Sequence, residues 1–235
     1  MIQVVHGVKD KSREGKSLAG TSPLLLALVA SLLVIAVMWP LGEVVSSPSI
    51  TDADQEVIVF AVHVREPVLT DLMHALTFLG GNLFVTSVLG GAAMLIYLVE
   101  KKKRWPIFLA GTIAGSVGLD NLIKMLVDRP RPDFHRLTGV TGSAFPSGHA
   151  AAAAALFLAL AFLVTRRMSK GRVWVWVAAV VVAALVAASR VYLGAHWPTD
   201  VIGGLALGGY WTGVMAKVTA AWTRSEDGEA AGTSS

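Results

Sequence analysis

An aspartate follows a histidine by four residues in the segment SRVYLGAHWPTD, residues 189–200. If the turn around Pro198 is helical, His196 and Asp200 share a face, and the carboxylate accepts a hydrogen bond from one imidazole nitrogen. That bond fixes the tautomer and makes the other ring nitrogen a better nucleophile. The spacing therefore predicts that His196 is a nucleophile and that Asp200 is its partner.

A second histidine ends the segment FPSGH, residues 145–149, directly before an alanine-rich apolar run. Ser147 can cap the helix that begins here, and Gly148 lets a ligand approach the backbone closely. The free N–H groups of a helix start favour an anion. We expect Ser147 and Gly148 to bind an anionic group and His149 to act on it as a general acid and base.

Cations are concentrated in a third segment, KMLVDRPRP, residues 124–132. Lys124 and Arg131 lie nearly two helical turns apart and would share a face if the helix continued. Pro130 and Pro132 stop it, which predicts a lysine on the helix wall and an arginine on an extended rim.

Together the three segments contain the groups that phosphoryl transfer requires. Charge on the phosphoryl oxygens would be met by Lys124, Arg131 and Arg190. No carboxylate cluster with metal-ligand spacing accompanies them, so we expect neither a metal nor a cofactor.

Several of these residues also have plainer interpretations. Lys124 could extend to the membrane interface or pair with Asp120 one turn earlier. Asp120 and Asn121 are candidates for a supporting role, and Trp197 for shaping the pocket. The remaining basic residues of the loop are interpreted as solvated, with contact to a lipid headgroup as the alternative: Arg129, His135 and Arg136.

The composition places the chain in a bilayer. Of 235 residues, 54% are hydrophobic and 15% are charged, which is too apolar for an ordinary soluble domain, and cysteine is absent. Runs of about 20 apolar residues are long enough to span. They predict an all-α bundle of six transmembrane helices at about 22–44, 79–99, 105–127, 148–165, 173–190 and 199–221.

Basic residues set the orientation of these spans. Fourteen of the 20 fall on one side, which the positive-inside rule assigns to the cytoplasm together with both termini. They are Lys9, Lys11, Arg13, Lys16, Lys101, Lys102, Lys103, Arg104, Arg166, Arg167, Lys170, Arg172, Lys217 and Arg224. The three segments then face outside, and the net charge of +4 reflects topology rather than nucleic-acid binding.

The predicted organisation is a cytoplasmic tail at 1–21, one membrane domain at 22–221 and a disordered tail at 222–235. Residues 52–78 are too charged to span and predict amphipathic helices at the outer interface, between spans one and two. A secretory signal at the first apolar run is the alternative, although no convincing cleavage site follows.

Small residues recur at helical spacing within the spans: Gly111 with Gly115, Gly204 with Gly208, and the run 150–155. Such residues let helix backbones approach each other closely. Packing inside one bundle is the main interpretation and dimerisation the other, so we expect a monomer or a homodimer.

In these three segments the chain resembles the type 2 phosphatidic acid phosphatase superfamily, whose signature is present in full. Its parts are a lysine, six residues and Arg-Pro; Pro-Ser-Gly-His; and Ser-Arg, five residues, His, three residues and Asp. They correspond here to Lys124 with Arg131-Pro132, to 146–149, and to Ser189-Arg190 with His196 and Asp200. The resemblance, over about residues 70–215, implies the six-span fold and the roles given above.

The expected function is hydrolysis of the terminal phosphate of a membrane lipid, through a phosphohistidine, at the extracytoplasmic face of the cell membrane. Phosphatidic acid, phosphatidylglycerophosphate and undecaprenyl diphosphate remain open as substrates. Two alternatives belong to other classes: a vanadium-dependent haloperoxidase, whose pocket is similar because vanadate resembles phosphate, and a non-catalytic lipid-binding protein.

Overall fold

The computed structural model describes residues 22–133 and 135–232, and side chains as far as residue 223. These residues form eight helices and no strand. The helices are α1 (Pro23–Val45), α2 (Pro48–His63), α3 (Pro67–Phe78), α4 (Asn82–Glu100), α5 (Arg104–Leu126), α6 (Gly148–Thr165), α7 (Arg172–Tyr192) and α8 (Pro198–Gly232). Four of them, α1, α2, α3 and α8, begin on a proline, whose fixed φ and missing N–H suit the first turn of a helix.

Five of the eight helices in the described part of the chain are long and apolar enough to cross a membrane: α1, α4, α5, α6 and α7. Their outer faces expose large apolar side chains, such as Leu24, Leu83 and Trp174. A bilayer covers surfaces of this kind. The sixth predicted span lies within α8, where residues 198–217 contain five glycines, two threonines and an aspartate. The α8 sequence is adapted to packing rather than to lipid, and its crossing stays a prediction.

Helix α6 is the centre of the bundle and packs against α5, α7 and α8. All six alanines from Ala150 to Ala155 are buried. On α8, a Cβ added at Gly204 would stand 2.4 Å from the Ser147 carbonyl oxygen, and one at Gly208 would stand 2.3 Å from that of Ala151. The prediction that Gly204 and Gly208 allow two backbones to meet is therefore confirmed for a contact inside the bundle.

Gly111 and Gly115 on α5 serve the same purpose against side chains of α8. A Cβ at Gly111 would stand 2.7 Å from Cε of Met215, and one at Gly115 would overlap the indole of Trp211. Each glycine leaves room for a large side chain of α8, so Gly111 and Gly115 also pack within one chain.

The segment between α1 and α4 is helical as predicted, in the form of α2 and α3. Helix α3 packs along α7, and α2 contacts α7 and α8. One side of α2 is buried through Asp54, Ile58 and Ala61. The position of the segment at a membrane surface stays a prediction.

The two ends of the bundle differ in charge. At one end Glu100 forms ion pairs with Arg166 and Arg167, and Arg104 donates a hydrogen bond to Thr223. The loops rich in lysine and arginine meet here, while all three motif segments lie at the opposite end, with α2 and α3. The basic residues predicted at positions 9–16 lie outside the described residues.

Helix α8 extends to Gly232 and so enters the segment that was predicted as a disordered tail from residue 222. Alanine and glutamate are good helix formers and continue α8 beyond its apolar part. Residues 1–21 and 233–235 lie outside the described residues, and their predicted roles as tails stay predictions.

Replacing Gly208 by alanine tests the close contact between α6 and α8. The added methyl would displace the backbone around Ala151, and overpacking of this kind costs about 1–3 kcal/mol. We expect Gly208→Ala to lower the thermal unfolding midpoint in detergent micelles.

Gly213→Ala on the same helix is the control, because a Cβ there meets nothing within 4 Å. It should leave the midpoint unchanged or raise it slightly, since alanine favours helix. Equal shifts for the two variants would contradict the packing described for Gly208.

Candidate functional site

The His196 ring is held from both sides in the turn between α7 and α8. Its Nε2 lies 3.0 Å from Nη1 of Arg131, and its Nδ1 lies 2.8 Å from the carbonyl oxygen of Ala144. A guanidinium only donates hydrogen bonds, so Nε2 accepts and Nδ1 carries the proton that is donated to Ala144. Nε2 is therefore the unprotonated ring nitrogen, and its electron pair accepts the hydrogen bond from Arg131.

The Asp200 carboxylate was expected to accept this proton, and the geometry differs from that expectation. Its Oδ2 lies 3.6 Å from Nδ1 of His196 and accepts instead a hydrogen bond of 2.9 Å from the backbone N–H of Trp197. Helix α8 begins only at Pro198, so His196 precedes it and the two residues do not share a helical face. Asp200 caps the helix start and stands beside the imidazole as a nearby negative charge.

Burial of His196 sets its protonation state. The side chain is 3% exposed, and desolvation lowers its pKa to about 4, an effect reinforced by the Arg131 charge and opposed by Asp200. A lowered histidine pKa favours the neutral ring at neutral pH. The imidazole is thus in the form that can act as a nucleophile.

The interpretation of Arg129 as a solvated loop residue was wrong. Arg129 is 2% exposed, and its guanidinium binds Asp54 at 2.8 Å and Asp200 at 2.6 Å. It also lies 5.7 Å from the centre of the Trp197 ring. The burial of Arg129 could not be predicted from sequence, because its partner Asp54 is 75 residues away along the chain. His135 and Arg136 are exposed, as expected.

Arg131 is held in place by hydrogen bonds to backbone carbonyl groups. Its Nε donates to Gly142 at 2.9 Å, its Nη2 to Ser143 at 3.0 Å and its Nη1 to Ala195 at 2.9 Å. Helix α5 ends at Leu126, before the two prolines, which confirms that they stop it. The extended rim thereby brings Arg131 to the His196 ring rather than into solvent.

Helix α6 begins at Gly148 with Ser147 at its N-cap position, as predicted, but the Ser147 side chain makes no capping hydrogen bond. Ser147 is fully buried, its N–H donates to the Asp200 carbonyl at 3.0 Å, and its hydroxyl has no hydrogen-bond partner among the described residues. A Cβ at Gly148 would stand 3.2 Å from Nζ of Lys124 and 3.0 Å from Asp120. The start of α6, the free hydroxyl and the lysine therefore lie together.

Lys124 forms the ion pair that was considered for it, with Asp120 at 2.5 Å. The pair does not remove the lysine from the site, because it holds the ammonium group above Gly148. Asp120 is 5% exposed, and by pairing with Lys124 it lies where a supporting residue was considered. Asn121, by contrast, is exposed.

The turn between α3 and α4 packs on His149 in the first turn of α6. A Cβ at Gly80 would stand 2.8 Å from the His149 carbonyl oxygen, and one at Gly81 would stand 3.9 Å from Nε2 of the ring. His149 also lies within electrostatic range of the other site groups: Arg190, His196, Lys124 and Arg131. Both imidazoles therefore lie within electrostatic range of the same cations.

Arg190 completes the cluster from the last turn of α7. It is 2% exposed, and its Nη1 donates to the Thr77 hydroxyl at 2.7 Å. Sequence reasoning missed Thr77, which lies on α3 outside the motifs, and it missed the backbone carbonyl of Ala144. Neither carries a signal in its residue type. Within the described part of the chain, no group of three His, Asp or Glu side chains could hold a metal ion.

Comparison with known proteins shows the family of the chain. The model of the PAP2 superfamily matches residues 105–224. Phosphatidylglycerophosphatase B of Bacillus subtilis is 35% identical over 174 residues, which are 72% of this chain and 84% of that protein. Lipid A 1-phosphatase of Rhizobium etli is 38% identical over 123 residues, 48% of this chain and 50% of that protein.

Among solved structures, the transmembrane PAP2-type phosphatidylglycerolphosphate phosphatase of Bacillus subtilis superposes with a TM-score of 0.71 and 28% identity. The superposition covers 83% of this chain and 94% of that one. The bundle and the order of its helices are therefore shared.

The lowered pKa of His196 predicts that its ring stays neutral and protonated on Nδ1 from about pH 7 to about pH 5. Nitrogen NMR shifts of the histidine rings, assigned by loss of one signal in His196→Asn, measure the tautomer directly. A His196 signal that titrates with a midpoint above about pH 6 would contradict the burial argument.

Proposed function

Because the chain belongs to the PAP2 superfamily and is a phosphatase of membrane lipid phosphates, we propose that it removes the terminal phosphate of a glycerophospholipid. Phosphatidylglycerophosphate is the first candidate. The relative and the solved structure that cover most of both chains carry that name. Both relatives are phosphatases, which favours a hydrolase over an oxidoreductase or a non-catalytic binding protein.

The observation that carries the mechanism is the orientation of the His196 ring. Nε2 is unprotonated and accepts a hydrogen bond from Arg131, and Nδ1 donates its proton to a backbone carbonyl. The Nε2 electron pair becomes available for attack when a phosphoryl oxygen takes its place on the guanidinium. A phosphoryl oxygen bound to Arg131 would bring phosphorus next to Nε2. Lys124, Arg190, the Ser147 hydroxyl and the N–H groups at Gly148 are placed to receive the other oxygens.

Hydrolysis then proceeds in two steps. Nε2 of His196 attacks phosphorus, an N–P bond forms, and the P–O bond to the lipid breaks. His149 carries a proton once the negative charge of the bound phosphate balances the surrounding cations, and it gives this proton to the leaving oxygen. Water next attacks the phosphohistidine and gives a proton to His149, which releases inorganic phosphate and restores both rings. Asp200 stabilises the positive charge that develops on His196 during attack. Phosphatases of this family act without a metal.

We further propose that the site faces the extracytoplasmic side of the cell membrane. The loops rich in lysine and arginine gather at the other end of the bundle, around Glu100, and such loops remain in the cytoplasm. Both termini would then be cytoplasmic, and a lipid headgroup would enter the site from the outer leaflet.

Turnover on three lipids tests the function. We expect the highest kcat/KM on phosphatidylglycerophosphate, compared with phosphatidic acid and undecaprenyl diphosphate. We expect His196→Ala to lower kcat by roughly 10³-fold or more on every substrate, as loss of a nucleophile does. Phosphate release from detergent-solubilised protein is the measurement.

His74→Ala is the control, because His74 is exposed on α3. It should keep wild-type turnover. Mass spectrometry after a rapid alkaline quench should find a phosphoryl group on His196. Wild-type turnover by His196→Ala would end the phosphohistidine mechanism, and a preference for undecaprenyl diphosphate would overturn only the substrate assignment.

Single cysteines test the orientation, since the chain has none of its own. Gly139→Cys places a thiol in an exposed loop at the site end, and Ser169→Cys places one in the exposed loop between α6 and α7. A membrane-impermeant maleimide added to intact cells should label the cysteine at 139 and spare the one at 169. The reverse pattern would show that the site faces the cytoplasm.

A further inference from the structure

We propose that Asp54 on α2 is a positioning residue for the nucleophile, acting through Arg129. This inference rests on the proposed function, because it assigns a role in the same reaction. Asp54 lies outside the three motifs, and Arg129 is one of the six unspecified residues between Lys124 and Arg131. Together they form a buried connection between α2 and two groups that lie next to Nδ1 of His196. These groups are the Ala144 carbonyl and the Asp200 carboxylate.

The connection is an ion-pair network that is almost completely shielded from solvent. Side-chain exposure is 1% for Arg129, 5% for Asp54 and 0% for Asp200. One arm of the guanidinium fork binds each carboxylate: Nη2 binds Asp54 and Nη1 binds Asp200. Buried ions are tolerated only when they are paired and hydrogen-bonded, so the three side chains depend on one another.

Asp54 also holds the start of α8. Its Oδ1 accepts a hydrogen bond of 3.2 Å from the Thr199 N–H, and its Oδ2 accepts one from the Thr199 hydroxyl. Nη1 of Arg129 donates to the same hydroxyl oxygen at 2.7 Å. Asp54 therefore fixes the residue directly before Asp200 as well as the cation that binds Asp200.

The backbone of Arg129 reaches His196 by a second route. Its carbonyl oxygen accepts a hydrogen bond of 2.8 Å from the Ala144 N–H, and the Ala144 carbonyl accepts the Nδ1 proton of His196. Arg129 thus places both the acceptor of that proton and the nearby Asp200 charge. A displacement of Arg129 would change the direction of the imidazole and, with it, the direction of Nε2.

Charge explains why Asp54 is needed in addition to Arg129. Two carboxylates share one guanidinium, so the network keeps one net negative charge beside His196. Attack on phosphorus makes the imidazole positive, and that negative charge stabilises the product of the step. Without Asp54, the guanidinium would neutralise Asp200 alone and the stabilising charge would be lost.

A purely structural role for the same ion pairs predicts a different outcome. If Asp54 only tied α2 to α8, its loss would lower stability and leave the turnover of folded enzyme unchanged. A positioning role instead lowers kcat and leaves KM unchanged, because phosphate is bound by other residues, namely Lys124, Arg131 and Arg190.

Asp54→Asn is the decisive variant, because it keeps the shape and one accepting oxygen but removes the charge. We expect kcat to fall about tenfold, equivalent to 1.4 kcal/mol, with KM within about twofold of wild type. Glu56→Gln is the matched control, being an exposed carboxylate on the same helix, and should behave as wild type. Steady-state kinetics, normalised to folded protein from size-exclusion chromatography, gives both constants.

Double substitution tests the coupling. Arg129→Met leaves two buried carboxylates without a cation, and we expect kcat to fall at least a hundredfold. Adding Asp54→Asn removes one of those charges, so the double variant should be more active than Arg129→Met alone. If Arg129→Met does not fold, Arg129→Lys serves instead, since a single ammonium cannot bridge both carboxylates, and its kcat should fall about tenfold.

Equal kcat for Asp54→Asn and Glu56→Gln would overturn the inference, and so would a raised KM at unchanged kcat. Neither result would contradict the proposed function, provided that the wild-type enzyme turns over and forms the phosphohistidine. A wild-type enzyme without phosphohistidine would instead remove the proposed function, whatever Asp54→Asn does.

Discussion

A buried arginine, 2% exposed, must be matched by negative charge, and the arrangement of the motif end of the bundle follows from how Arg129 meets that requirement. Its two carboxylate partners come from α2 and α8, which are far apart in sequence. The side chain therefore joins the segment after the first helix to the start of the last one. Its carbonyl group meanwhile holds the Ala144 backbone that orients His196.

Close packing around α6 makes this arrangement possible. Alanines and facing glycines let α8 approach α6 until only a hydrogen atom fits between the backbones. The start of α8, with Asp200, then lies beside the start of α6, with Ser147, and the two are joined by the hydrogen bond from the Ser147 N–H to the Asp200 carbonyl. Small residues in the middle of the bundle thereby set the geometry of the site at its end.

Sequence reasoning succeeded where the signal is local. The prolines after α5, the helix start at Gly148 and the glycine pair on α8 all act through their own backbone, so residue type and spacing were sufficient. It failed for Arg129, because an arginine in a loop is recognised as buried only once its partner, Asp54, is known. It also misplaced the acceptor of the His196 proton, since a backbone carbonyl such as that of Ala144 has no signature in the residue type.

The central claim is that His196 and the cations surround a single phosphate, with Nε2 as the attacking atom. A structure of the protein with bound orthovanadate tests it most directly, because vanadate adopts the five-coordinate geometry of phosphoryl transfer. The account predicts vanadium bonded to Nε2 of His196, oxygens on Lys124, Arg131 and Arg190, and the His149 ring on the opposite side. Vanadate bonded to another residue, or the two imidazoles too far apart to contact one anion, would contradict the account.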